Sequence, residues 1–228
     1  MTLESTVVGS RTVRLETALA LAGQGIPLGV HPGDRVMAAA ECAVEAAADL
    51  VAGRFVRASV QVAAHRPGAI ELGRGTLEGD GISQALAGAR VVVATVCTIG
   101  PLLERHVSAL LPTDPLAALA FDGLGSAACE RLAGELCAEI EEQAAAERLQ
   151  VTGRLSPGMI GWPLLEGQRQ LFALVDPAPI GVALTAVGQM IPRKSLSFVV
   201  GVGAHVQRQA ACAACGLKDR CRFRRNDG

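Results

Sequence analysis

The sequence predicts a fold that mixes helices with strands, on three observations. Arg90-Val91-Val92-Val93-Ala94-Thr95-Val96 is an apolar, β-branched run of the kind that forms a central strand buried on both faces. Residues 196–202 form a second apolar run of the same character. Long stretches with helical periodicity accompany them, one opened by Pro32-Gly33-Asp34 and one spanning residues 116–148. These patterns leave both an α/β and an α+β arrangement open.

At 228 residues, half of them hydrophobic, the chain suits one large domain or a domain plus an extension, and can bury roughly 70–75% of its unfolded surface. A net charge of -1, with five Phe, one Trp and no Tyr, argues against a nucleic-acid binder, which needs cations for phosphates and rings for bases. The start, Met1-Thr2-Leu3-Glu4, lacks the basic and apolar regions of a signal peptide, and no apolar run reaches the roughly 18 residues of a membrane span. The expected setting is cytoplasmic, with no membrane partner. There the seven cysteines should be thiols or metal ligands, not a disulfide frame. Cys42, Cys129 and Cys137 lie among alanines in helical patterns and read as small core residues.

In chain order, residues 14–22 carry a short helical pattern closed by Gly23-Gln24-Gly25. The helix opened at Pro32 is expected to run to about Ala52 with Met37, Ala40, Val44, Ala47 and Val51 on one face. Residues 55–62 read as a strand, His65-Arg66-Pro67-Gly68 as a turn with a solvated His65, and residues 69–72 as the returning strand of a hairpin. Residues 81–87 supply one or two helical turns. The run at 90–96 ends in Cys97-Thr98-Ile99-Gly100, and Gly100-Pro101 starts another helix, with His106 on its polar side. That junction reads either as a seat for polar or anionic groups or as a tight connection that needs small residues. After a break at residues 112–115, the helix of residues 116–148 is expected to be interrupted near Asp122-Gly123, with Asp122 as N-cap of a second segment.

Residues 153–195 concentrate the binding chemistry. Pro157 and Gly158 forbid regular helix and open a turn whose backbone N–H groups are expected to face a ligand. Arg154 offers a planar fork of donors for a carboxylate or phosphate. Gly161-Trp162-Pro163 follows, then a helix-like run at residues 164–175 containing Gln168, Arg169 and Gln170.

Arg154-x-Ser156-Pro157-Gly158, the short amphipathic helix, and then Met190-Ile191-Pro192-Arg193-Lys194-Ser195 resemble the activation domain of cobalamin-dependent methionine synthase and its stand-alone relatives. Cys97-Thr98-Ile99-Gly100 after a strand, and Phe121-Asp122-Gly123-Leu124-Gly125-Ser126 opening a helix, extend the resemblance over roughly residues 10–205. The resemblance implies an α+β fold, a mostly antiparallel twisted sheet flanked by helices. It further implies that Arg154, Ser156 and Gly158 hold S-adenosylmethionine, with no acid, base or nucleophile required. Met159 stands where that family usually carries Tyr.

Beyond His205 the composition changes. Cys212-Ala-Ala-Cys215 and Cys221 form C-x2-C-x5-C among Lys218, Arg220, Arg222, Arg224 and Arg225, a spacing that brings sulfurs to one metal centre while the cations favour thiolate. The expected division is therefore an activation-domain-like body, residues 1–205, and a cysteine-rich metal- or cluster-binding tail, residues 206–228. A [4Fe–4S] cluster, its charge offset by the arginines, is favoured over zinc because the resemblance implies redox chemistry; the fourth ligand would be absent or a distant residue such as Cys97, and His205 is a candidate for zinc. No element like the Asp-x-His-x-x-Gly of corrinoid proteins is present, so cobalamin is expected on a partner.

The function these readings imply is reductive reactivation of a corrinoid protein or corrinoid-dependent methyltransferase, with S-adenosylmethionine as methyl donor, a low-potential electron donor and the tail as relay. The alternative is a non-catalytic, zinc-stapled docking or accessory subunit of a corrinoid methyltransferase system.

Overall fold

The computed structural model describes residues 5–27, 29–159 and 161–208. β5 (Val91–Thr98) is the centre, with all eight residues buried. Its neighbours are β2 (Gly53–Arg66), with Arg57 opposite Thr95, and β9 (Ser195–Gly203), with Phe198 opposite Thr95 on the other side. Both pairings are antiparallel. β3 (Ala69–Leu72) and β4 (Gly75–Glu78) extend the sheet beyond β2, and β6 (Gln150–Val151) closes the β9 side, giving the order β4-β3-β2-β5-β9-β6. β1 (Ser5–Arg11) lies antiparallel along the first half of β2, and β7 (Ala183–Leu184) and β8 (Met190–Ile191) form a separate antiparallel pair. Every pairing is antiparallel, so the class is α+β, a curled sheet flanked by helices. Strands β1 and β4 carry no sequence expectation: both are short of buried apolar residues, which is the signal that marks a strand.

Each sheet face has its own core. Phe55, Val93, Cys97, Phe198 and Val200 pack under α1 (Thr17–Gly23), α2 (Asp34–Ala46), α4 (Leu102–Leu110) and α5 (Pro115–Ala146). Val56, Ala58, Val92, Ala94, Val96 and Val199 face α3 (Asp80–Ala85), α6 (Leu164–Leu174) and Trp162. The alternation along each strand follows from the period-two geometry of the pleat.

Several expectations are corrected. α2 stops at Ala46, and its buried positions are Ala40 and Ala43, with Ala47 at its end; Cys42 faces solvent. α5 is one unbroken helix of 32 residues capped by Asp114, whose Oδ1 accepts the Ala117 N–H at 3.0 Å. Asp122 is therefore interior, not a cap. Gly123 marks a helix crossing: a Cβ there would lie 2.8 Å from the Ala20 carbonyl oxygen, and Gly23 of α1 sits against the Gly123 backbone. His65 belongs to β2 and bonds the Ala89 carbonyl at 3.0 Å through Nε2. His106 packs edge-on against Phe121, ring centroids 4.6 Å apart, and is half-buried.

Candidate functional site

After β6 the chain runs beside β9, and Leu155 makes an antiparallel bridge to Val199 through two backbone bonds, 3.0 and 2.8 Å. Leu155 packs into the core shared with α6 and Trp162, so its neighbour Arg154 points the other way, toward α5. There Arg154 Nη2 donates to Glu130 Oε2 at 2.8 Å. Burial works against the Arg154 charge, but Glu130 more than offsets it, so the guanidinium is held as a cation more firmly than a free one. One arm of its fork is engaged; the fork's geometry suits a carboxylate on the remaining donors.

The turn that follows is tightly built. The Gly158 N–H donates to the Trp162 carbonyl at 2.8 Å and the Met159 N–H to the Ser156 carbonyl at 3.1 Å. These two amides are thus spent within the turn, against the expectation that they face a ligand; the Ser156 N–H has no partner among the described residues. Gly158 adopts φ +88, a conformation that costs a side-chain-bearing residue energy and that glycine adopts freely.

Trp162 anchors the turn. It is 1% exposed, its Nε1 donates to Gln170 Oε1 at 2.9 Å, and Gly167 lies so close to the indole that a Cβ would come within 2.8 Å of it. On α6, Gln168 is buried and accepts the Ser197 hydroxyl at 2.8 Å, which fastens the helix to β9; Arg169 points outward to Glu166.

The three upstream and downstream motifs converge in one knot at the far end of the sheet. Thr98 Oγ1 donates to the Lys194 carbonyl and accepts the Gly100 N–H, both at 3.1 Å, and Ser195 Oγ reaches Thr98 Oγ1 at 2.9 Å. Lys194 Nζ lies 2.7 Å from Asp122 Oδ1 and 2.8 Å from Ser126 Oγ. The small-residue junction at Gly100 is a connection, because its amide is satisfied by Thr98 and Glu104 in the first turn of α4 accepts the Arg193 N–H at 2.8 Å.

Asp122, Ser126 and Glu130 recur every fourth residue and so share one face of α5, the first two holding Lys194 and the third Arg154. Glu130 was not anticipated. The four-residue spacing from Asp122 was the available signal, and an expected helix break at Asp122-Gly123 concealed it.

Cys97 is fully buried beside Cys129, and a thiol hydrogen bond with Cys129 together with burial pushes its thiol well above its ordinary range. It is a core thiol under α5. His205 is exposed. Among the described residues no group of three or more His, Cys, Asp or Glu is placed to hold a metal. Cys212, Cys215 and Cys221 lie outside the described residues. No described helix is long and apolar enough to cross a membrane.

A curled antiparallel sheet with helices on both faces, one of them bracing an Arg-x-Ser-Pro-Gly turn, defines a reactivation-domain fold. The structure is similar to the MetH reactivation domain bound to AdoHcy, with a TM-score of 0.69 and 14% identity, over 90% of this chain and 80% of that one. No family model matches the chain, and no curated protein matches it.

Proposed function

We propose that this chain reductively reactivates a corrinoid protein or a corrinoid-dependent methyltransferase and takes S-adenosylmethionine at the Arg154 turn. The observation that carries the reading is the Arg154-x-Ser156-Pro157-Gly158 turn, set beside β9 on the fold of a domain solved with AdoHcy, the demethylated form of that methyl donor. Arg154 anchors the donor's carboxylate, with Glu130 fixing the guanidinium, and the Ser156 N–H, which has no partner among the described residues, completes the seat.

The chemistry balances with one external electron. The low-potential donor reduces Co(II) of the partner's corrinoid to Co(I), the cobalt takes the methyl group from the sulfonium as its S–CH3 bond breaks, and methyl-Co(III) and AdoHcy result. No protein acid or base is consumed. A [4Fe–4S] cluster on Cys212, Cys215 and Cys221 would supply the one-electron relay.

Arg208 pairs with Glu141 of α5, so the last described residue is tied to the helix that carries Glu130.

The test is to mix the protein with a Co(II) corrinoid protein, S-adenosylmethionine and a low-potential reductant. The methyl-Co(III) spectrum should form, and only when all components are present. A Co(II) spectrum that persists in the complete mixture rejects the proposal.

A further inference from the structure

Beneath α5 the apolar face of the sheet is interrupted by a cross-strand pair of polar side chains. Arg57 of β2 stands directly opposite Thr95 of β5, and the period-two pleat sets both on the face that carries Phe55, Val93, Cys97 and Phe198. Both lie deep in that face. Thr95 is fully buried, and the Arg57 side chain is 12% exposed.

Glu139 of α5 accounts for one arm of Arg57. Its Oε1 accepts from Arg57 Nη2 at 3.0 Å, and the same carboxylate accepts from Arg11 Nη2 at 3.0 Å and Gln143 Nε2 at 3.3 Å. The other arm is different. Arg57 Nη1 and Thr95 Oγ1 are both buried, and neither has a hydrogen-bond partner among the described residues. Buried polar atoms are nearly always matched, because an unmatched one has given up its hydration for nothing.

Directly opposed residues carry Cβ atoms about 4.5–5.5 Å apart, so one small molecule can meet both groups. The two atoms select its chemistry. Arg57 Nη1 only donates, so the guest must offer a lone pair, which excludes a metal cation. An anion would lie beside the Glu139 carboxylate on the adjacent Nη2 of the same guanidinium, and burial strengthens that repulsion. Water carries no charge, accepts from Nη1 and donates to the Thr95 hydroxyl oxygen. We infer that a single internal water bridges Arg57 Nη1 and Thr95 Oγ1 and joins β2 to β5 under α5. It extends the network of Arg11, Glu139 and Arg57 to the middle of the central strand. The inference does not depend on the proposed function.

A crystal structure of the full chain that shows ordered water should place one peak of water's weight about 2.7–3.2 Å from Arg57 Nη1 and about 2.5–3.0 Å from Thr95 Oγ1. Thr95→Ser keeps the hydroxyl and should keep the peak. Thr95→Val removes the hydroxyl at nearly constant volume; it should lose the peak and lower the thermal midpoint by roughly 2–10 °C. In solution, the unmodified protein should show a nuclear Overhauser effect between a long-lived water and the Thr95 methyl group. No peak in the unmodified protein, a direct Arg57–Thr95 hydrogen bond in its place, or an anomalous signal there after a bromide soak overturns the inference. So does a Thr95→Val crystal in which the peak stays, or the absence of the water–methyl effect.

Discussion

Arg154 Nη2 and Glu130 Oε2 meet at 2.8 Å across the gap between the segment beside β9 and helix α5, with both side chains about one-third exposed, at 32% and 35%. Such a pair contributes at most about 1 kcal/mol to stability, so its arrangement matters more for orientation than for folding. Arg154→Ala should therefore leave the fold intact and weaken S-adenosylmethionine binding by roughly 10- to 150-fold, the loss of a charge-assisted bidentate contact of about 1.5–3 kcal/mol. Arg154→Lys keeps the charge without the fork and should fall between. Glu130→Gln should cost less than Arg154→Ala. Titration calorimetry measures all three, and equal affinities for wild type and Arg154→Ala would reject the site.

For the tail, anaerobic analysis should find about four iron and four sulfide per chain, lost in a Cys212→Ala/Cys215→Ala variant. Deleting residues 211–228 should slow methyl-Co(III) formation and leave S-adenosylmethionine affinity unchanged. Stoichiometric zinc without sulfide would instead favour the stapled docking subunit. Equal rates for truncated and full chains would make the tail structural.

Helices α1 and α5 cross at Gly23 and Gly123. Gly123→Ala adds a methyl 2.8 Å from the Ala20 carbonyl and 2.7 Å from Gln24 Cγ. A helical Gly→Ala change by itself gains about 0.5–1 kcal/mol, but overpacking against backbone costs about 1–3 kcal/mol or more. At Gly23 the clash is with backbone alone, which no rotamer relieves, so Gly23→Ala should be the worse of the two. Thermal unfolding should show a drop of roughly 3–10 °C for Gly23→Ala. No drop in Tm, or a rise, would mean the crossing relaxes freely.

Glu139 bonds Arg11 and Arg57, each at 3.0 Å. Burial alone would raise its carboxyl, but the two guanidiniums outweigh it and hold the pKa below the usual 4.5. A carboxylate depressed on folding stabilises the protein above its unfolded pKa, and that contribution fades as pH falls from about 4.5 through the folded value. Glu139→Gln should lower stability at neutral pH and flatten the acid side of the stability curve. Denaturant midpoints between neutral and acid pH measure this, and parallel curves for both proteins would contradict it.

The local chemistry of this chain was legible in its residues. The β-branched run at 90–96 read as a buried strand and residues 157–158 as a turn, and the structure has both, because these readings follow from side-chain shape and backbone freedom. Arg154 stood out for the planar fork of donors that its guanidinium sets beside a Pro-Gly turn. Strand direction was not legible, since a strand buried on both faces carries the same pattern in either sense. It took the pairing of residue 95 with Arg57 and Phe198 to decide it. Asp122-Gly123 was misleading in sequence because glycine serves both to break a helix and to let two helices touch, and only the position of α1 distinguishes these uses. Glu130 and the Arg57–Thr95 pair were likewise decided by tertiary structure. One depends on which helix face meets the sheet and the other on which strands lie side by side, and neither property belongs to any residue alone.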